Sequence, residues 1–163
     1  MNYELLSLLP IGFTAALTIP LAITDIREHR LPNKFTYLLF VISLLSLTAA
    51  SLFLNSWGNF LVAAIAGSLT FAVGALLAKV GAIGMGDIKL LTSLHMILGW
   101  HQPWLPVISL AIGLAAATVL GFIGIVLGRV SAKSLIPLGP FLLVGFLVVS
   151  YVPVAEVTAG AWS

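Results

Sequence analysis

The sequence predicts an all-α integral membrane protein, a six-transmembrane-helix bundle with both termini outside. Hydrophobic residues fill 61% of its 163 positions and charged residues only 7%, whereas a soluble domain carries roughly a quarter of its residues as Asp, Glu, Lys or Arg. A mean hydropathy of +1.19 is spread along the whole length, so lipid solvates the chain throughout and does not merely hold one anchor. When the apolar runs are threaded alternately through a bilayer, all seven Lys and Arg fall on one side, the side that the positive-inside rule makes cytoplasmic.

A bilayer core of about 30 Å needs roughly 20 apolar residues in a helix. The first run, residues 5–24, follows Met1, Asn2, Tyr3 and Glu4 with no Lys or Arg before it, unlike a secretory signal, so it is expected to be retained. Residues 35–54 and 59–78 give the second and third runs. The fourth, residues 88–100, has only 13 residues. Residues 106–128 and 136–152 complete the six. Polar punctuation falls at 25–34, 55–58, 79–87, 101–103 and 129–135.

The short fourth run has to be a crossing for the charges to agree. Without it, Arg129 and Lys133 leave the side that holds Arg27, Arg30, Lys34, Lys79 and Lys89. Random placement would put all seven together roughly once in 64 trials. Tyr3, Trp57, Trp100, Trp104, Tyr151 and Trp162 are then expected in an aromatic belt at the outer interface.

No internal repeat and no long linker divides the chain, so residues 1–163 read as one polytopic membrane domain. Small residues recur four apart at Ala63 and Gly67, at Gly113, Ala117 and Gly121, and at Gly124 and Gly128. They let helices approach closely within the bundle, or at a homodimer face. The sequence contains no cysteine, which excludes disulfides, thiolate metal sites and cysteine nucleophiles. His29 and His101 make no metal-ligand spacing with any acid, and neither metal nor cofactor is expected. The net charge of +2 is scattered between apolar runs and forms no nucleic-acid stripe. Arg27, Arg30 and Lys34 orient the chain or attract anionic membrane lipids.

Two acids carry the candidate chemistry. Asp25 ends the first run and Asp87 starts the fourth, both on the basic side. From Asp87 to Trp100 is about 21 Å of helix, too short to cross the core. The stretch 81–86 is therefore expected to enter the membrane as non-helical backbone, with its glycines allowing unusual dihedrals and close approach. Such backbone is tolerated where it lines protein or water, which predicts a hydrated pocket beside Asp87. Ionisable groups at that depth are functional candidates. Two carboxyls held together share a proton, leaving one acid and one base that can activate water against a carbonyl. In the structural alternative, Asp25 pairs with Arg27 or Arg30, and Asp87 caps its helix or pairs with Lys89. His95, two turns beyond Asp87 on the same face, either tunes that site or packs.

The segments Asp25-Ile-Arg-Glu-His-Arg-Leu31-Pro32-Asn33, Gly84-Met85-Gly86-Asp87-Ile88-Lys89-Leu90 and Ile136-Pro137-Leu138-Gly139-Pro140-Phe141 occur in that order. Together they resemble the prepilin peptidases, aspartic membrane peptidases that share a Gly-x-Gly-Asp signature with presenilin-like enzymes. The resemblance runs from Asp25 to about residue 145. It implies a GxGD-type aspartic peptidase architecture, with Asp25 and Asp87 as the catalytic aspartates and Gly84 and Gly86 as the signature glycines. Lys89 matches the residue that follows the second aspartate by two. Arg30, Pro32 and Asn33 belong to the first motif. Pro137, Gly139 and Pro140 either break a helix start near the site or simply lead into the last helix.

The resemblance also implies the substrates, type IV prepilin or pseudopilin precursors, cut at the cytoplasmic face of a bacterial inner membrane between a basic leader and a hydrophobic helix. Larger members insert a Cys-x-x-Cys domain between early helices and methylate the new N-terminus. Here the corresponding loop has about ten residues and no cysteine, so a peptidase-only form is expected. The competing readings are a proton- or cation-coupled small membrane transporter subunit and a catalytically silent pilin-assembly factor.

Overall fold

The computed structural model describes residues 3–28, 31–128 and 137–161, with side chains to residue 158. The described residues form six α-helices and no strand. They are α1 (Leu5–Glu28), α2 (Asn33–Leu54), α3 (Trp57–Lys79), α4 (Met85–His101), α5 (Leu105–Val126) and α6 (Gly139–Ala161). The five other than α4 are long and apolar enough to cross a membrane. Their outward faces carry exposed Ile19, Leu45, Leu61, Val119 and Val148, as lipid-facing surface requires.

Helix α4 is the hub, packed against all five others. Ile88, Leu90 and every residue from Thr92 to Trp100 are buried. Because protein and not lipid surrounds it, α4 can be short and can carry Thr92, Ser93 and His95 inside the bundle. Around it, Leu21, Leu39, Leu143 and Phe146 are wholly enclosed.

Cross-helix contacts fix the orientation of each element. Leu6 meets Ser46, Gly67 meets Met96 and Gly99 meets Ala66, so α1 runs antiparallel to α2 and α3 to α4. The pairs Asn33–Lys89 and Ser51–Trp100 run α2 parallel to α4. Gly113 lies against Phe141, and Gly145 against Ser109, so α5 and α6 are antiparallel. All six helices therefore place one end at a common layer, which holds the end of α1 and the starts of α2, α4 and α6. Arg27, Lys34, Lys79 and Lys89 belong to that end. Arg30, Arg129, Lys133 and Trp162 lie outside the described residues.

Local chemistry explains the helix ends and interruptions. Pro10 inside α1 has no N–H to give the carbonyl of Leu6, and the Ser46 hydroxyl of α2 donates to that carbonyl instead. A proline is thereby tolerated at membrane depth. Asn55 closes α2 in the left-handed region (φ 53°), and Ser56 N–H returns to Ser51 O at 2.9 Å. At the end of α3, Gly81 adopts φ 74° and Ala82 N–H bonds Leu77 O at 3.0 Å.

Several expectations change. The fourth helix begins at Met85, so only the stretch before it is non-helical. The unusual dihedral belongs to Gly81, while Gly84 has an ordinary extended φ of −70°. Trp100 is no belt residue: it is buried, and its indole N–H donates to Ser51 Oγ at 2.8 Å. A tryptophan at a helix end satisfies the belt pattern and a core position equally well, and the polar partner on α2 decides. The four-residue spacings at Ala63, Gly67, Gly113, Ala117 and Gly121 are buried inside the bundle. Gly128 instead follows α5 with φ 66° and is exposed, so it ends the helix chain and does not pack.

Candidate active site

Three helix ends meet at the basic layer. The last turn of α1 carries Asp25, which is 4% exposed. Helix α6 starts at Gly139, and the Gly139 N–H donates to Asp25 Oδ2 at 3.0 Å in a buried contact. A helix N-terminus has unsatisfied N–H groups and a partial positive charge, so a carboxylate there is stabilised. Gly139 is required by space: a Cβ built on it would stand 2.7 Å from that oxygen and 3.1 Å from Asp25 Cγ. Pro140 sits in the first turn of α6, where its missing N–H costs nothing.

Asp87 occupies the first turn of α4, again near a helix N-terminus. It is half-buried, at the same end of the bundle as Asp25 and near enough for the two charges to interact. Gly84 is the N-cap of α4. A Cβ there would lie 3.1 Å from Asp87 Oδ2, so the first signature glycine leaves room for the carboxyl. The second serves the backbone: a Cβ on Gly86 would be 3.2 Å from Leu31 Cβ and 3.5 Å from Leu31 N.

Leu31 is the residue that sequence reasoning passed over. It is 7% exposed. Its backbone lies against Gly86, while its Cδ2 would be 3.4 Å from a Cβ on Gly139. A single residue thus packs against both the start of α4 and the start of α6, the elements that carry Asp87 and the Asp25-bound Gly139 N–H. The available signal was one leucine, before Pro32, in an otherwise polar connection.

The remaining candidates divide. Lys89 does not pair with Asp87; its Nζ donates to Asn33 Oδ1 at 2.9 Å, joining α4 to the first residue of α2. Pro32 is the N-cap of α2, and its carbonyl accepts from Phe35 N–H at 3.0 Å. Pro137 precedes α6 and is half-buried. Arg30 lies outside the described residues.

A cavity of about 500 Å³ opens from this layer. Its floor is α4, along Asp87, Ile88, Leu91 and His95, and α3 and α5 form its walls. A cavity does lie beside Asp87, but its lining is mainly apolar, unlike the hydrated pocket expected from the sequence. Asp87, Leu91 and His95 follow at four-residue spacing, which places them on one helix face.

Residues 12–155 match the type IV leader peptidase family. The chain is 35% identical over 144 residues to a protein of Burkholderia pseudomallei (strain 1026b) named prepilin leader peptidase/N-methyltransferase, covering 82% of this chain and 43% of that protein. A protein of the same name from Vibrio cholerae serotype O1 is 26% identical over 140 residues, covering 80% of this chain and 51% of its own length. The chain thus spans about half the length of these relatives. No solved structure matches it.

Proposed function

The chain belongs to the type IV leader peptidase family, and from that membership we propose that it is a membrane aspartic endopeptidase that removes the basic leader from type IV prepilin or pseudopilin precursors. The observation that carries the aspartic mechanism is the convergence at one end of the bundle: Gly139 N–H on Asp25, with Asp87 within electrostatic reach at the start of α4.

The chemistry follows from two carboxyls sharing one proton. The unprotonated carboxylate takes a proton from water as the water oxygen bonds to the peptide carbonyl carbon. The protonated partner gives its proton to the carbonyl oxygen, producing a tetrahedral diol. When the diol collapses, one hydroxyl returns a proton to the pair, the C–N bond breaks and the leaving nitrogen is protonated. The two helix N-termini offset the negative charge gathered there. No metal or cofactor enters this scheme.

In this reading α4 is a sixth crossing, shielded from lipid by its neighbours, and both termini face outward from a bacterial inner (plasma) membrane. The basic end of the bundle, with Arg27, Lys34, Lys79 and Lys89, then faces the cytoplasm, and so does the aspartate pair. The proposed activity is restricted to the peptidase: within this sequence there is no cysteine, and Glu28 and Asn33 are joined by four residues, which leaves no room between α1 and α2 for the Cys-x-x-Cys insertion that the resemblance links with methyl transfer. Purified chain incubated with a precursor bearing leader and apolar helix should release the leader, with an unmethylated new N-terminus in the presence of S-adenosylmethionine. An uncut precursor overturns the peptidase reading, and a methylated product overturns the restriction.

A further inference from the structure

The groove along α4 contains a polar group that the cleavage chemistry does not use. His95 is 5% exposed and lines the groove two turns beyond Asp87. Its Nδ1 lies 2.7 Å from Thr70 Oγ1 on α3, and the Thr70 hydroxyl lies 2.7 Å from the carbonyl of Ala66. The hydroxyl has one proton; when the Ala66 carbonyl takes it, Thr70 accepts from His95 Nδ1–H. The tautomer assigned by this network leaves Nε2 with a bare lone pair. Nε2 has no hydrogen-bond partner among the described residues.

Helices α3 and α5 each pack on α4 rather than on each other, and the groove between them runs from Asp87 toward Pro103 at the opposite end of α4. At a rise of about 1.5 Å per residue this is about 24 Å of helix. The groove is thus continuous with the candidate active site, because Asp87 belongs to both. A lipid acyl chain could fill its apolar walls, yet it has no donor for His95. A helix with a hydroxyl or amide side chain satisfies both the walls and the lone pair.

We propose that this groove seats the apolar helix of the precursor and that His95 Nε2 accepts a hydrogen bond from a hydroxyl or amide side chain on it. The inference rests on the peptidase reading and adds the docking surface and a specificity-determining residue. The substrate helix lies parallel to α4, entering from the Asp87 end. His95 is about 12 Å from Asp87 along that direction, so the residue it reads lies about eight positions after the cut bond.

Two measurements on the full chain in liposomes test this. A photo-crosslinking residue at Val73 or Val107, on the groove's two walls, is expected to capture the precursor, while the same residue at Ile19 or Leu45, on α1 and α2, does not. Capture from both sets alike, or of lipid alone, overturns the docking surface. His95→Leu is then compared on a precursor with serine near the eighth position and on its alanine counterpart. The expected result is a KM raised roughly three- to tenfold for the serine precursor only, with kcat within about twofold. A change of kcat, or an equal change for both precursors, overturns the role of His95. Capture in the groove without any cleavage would retain the docking surface and sink the peptidase reading, whereas cleavage without capture would do the reverse.

Discussion

The N–H of Gly139 reaches Oδ2 of Asp25 across 3.0 Å, joining residues 114 positions apart. The contact ties the end of α1 to the start of α6, and no Cβ fits between them. Gly139→Ala is expected to displace the carboxyl and lose this charge-assisted bond, worth roughly 1.5–3 kcal/mol. Cleavage rate should fall at least about tenfold while far-UV circular dichroism stays helical. An alanine variant with unchanged kcat/KM would show that the position of Asp25 does not matter.

Asp25→Asn and Asp87→Asn should each reduce cleavage by about 10²–10⁴, the usual contribution of general acid–base groups. Each removes one of the two groups between which the proton must pass. Their effects should be far from additive, so that the double variant is hardly worse than either single one. Rates of all three, with thermal unfolding as a control for folding, decide the matter.

The pH profile should be bell-shaped, with two apparent pKa values that belong to the pair and to neither residue alone. With both carboxyls protonated there is no base, so activity is lost on the acidic limb. With both ionised there is no acid, so it is lost on the alkaline limb. Each Asn variant should remove the bell altogether. A kcat/KM flat between about pH 4 and 8 contradicts a shared proton.

The signature glycines should separate in behaviour. A methyl at Gly84 meets the end of the Asp87 side chain, which can rotate, so Gly84→Ala is expected to lower kcat with little loss of stability. A methyl at Gly86 meets the Leu31 backbone and Cβ, which cannot move without shifting the start of α2 or α4. Overpacking of that kind typically costs about 1–3 kcal/mol, and Gly86→Ala should lower both the unfolding temperature and the rate. Identical responses at the two positions would refute this division.

Much of the fold was legible because lipid leaves few choices. Each long apolar run had to be a helix, and most ends moved by only a few residues when helical capping was resolved, as at Asn33 and Trp57, whereas α6 continues through Pro153 to Ala161, well past the expected end at 152. The aspartates were legible from their place at the ends of apolar runs and from the motifs around them. Their supports were not. Gly139 reads as a helix start in sequence, and nothing local says that its N–H faces a carboxyl on α1. Leu31 looks like one more loop residue until three helix ends close on it. The groove depends on α3 and α5 standing apart over α4, a matter of packing angles that hydropathy does not encode.

The far end of α4 provides a control that separates stability from catalysis. Trp100 N–H to Ser51 Oγ, at 2.8 Å, is a buried bond between α4 and α2, about 20 Å of helix away from Asp87. Trp100→Phe keeps most of the packed ring and removes the donor, leaving the Ser51 hydroxyl without it. The expected cost is about 1 kcal/mol of stability, seen as a lower unfolding temperature in detergent. Ser51→Ala should cost a similar amount, and the double variant should cost less than the sum, because the two changes remove one bond. Neither change alters the distance between the starts of α4 and α6, so kcat/KM below the unfolding transition should stay within about twofold of the unmodified chain. A tenfold fall in Trp100→Phe at intact fold would mean that α4 transmits strain along its length to Asp87, and would require the aspartate pair to be positioned by the whole helix and not by the contacts of Gly84, Gly86 and Leu31.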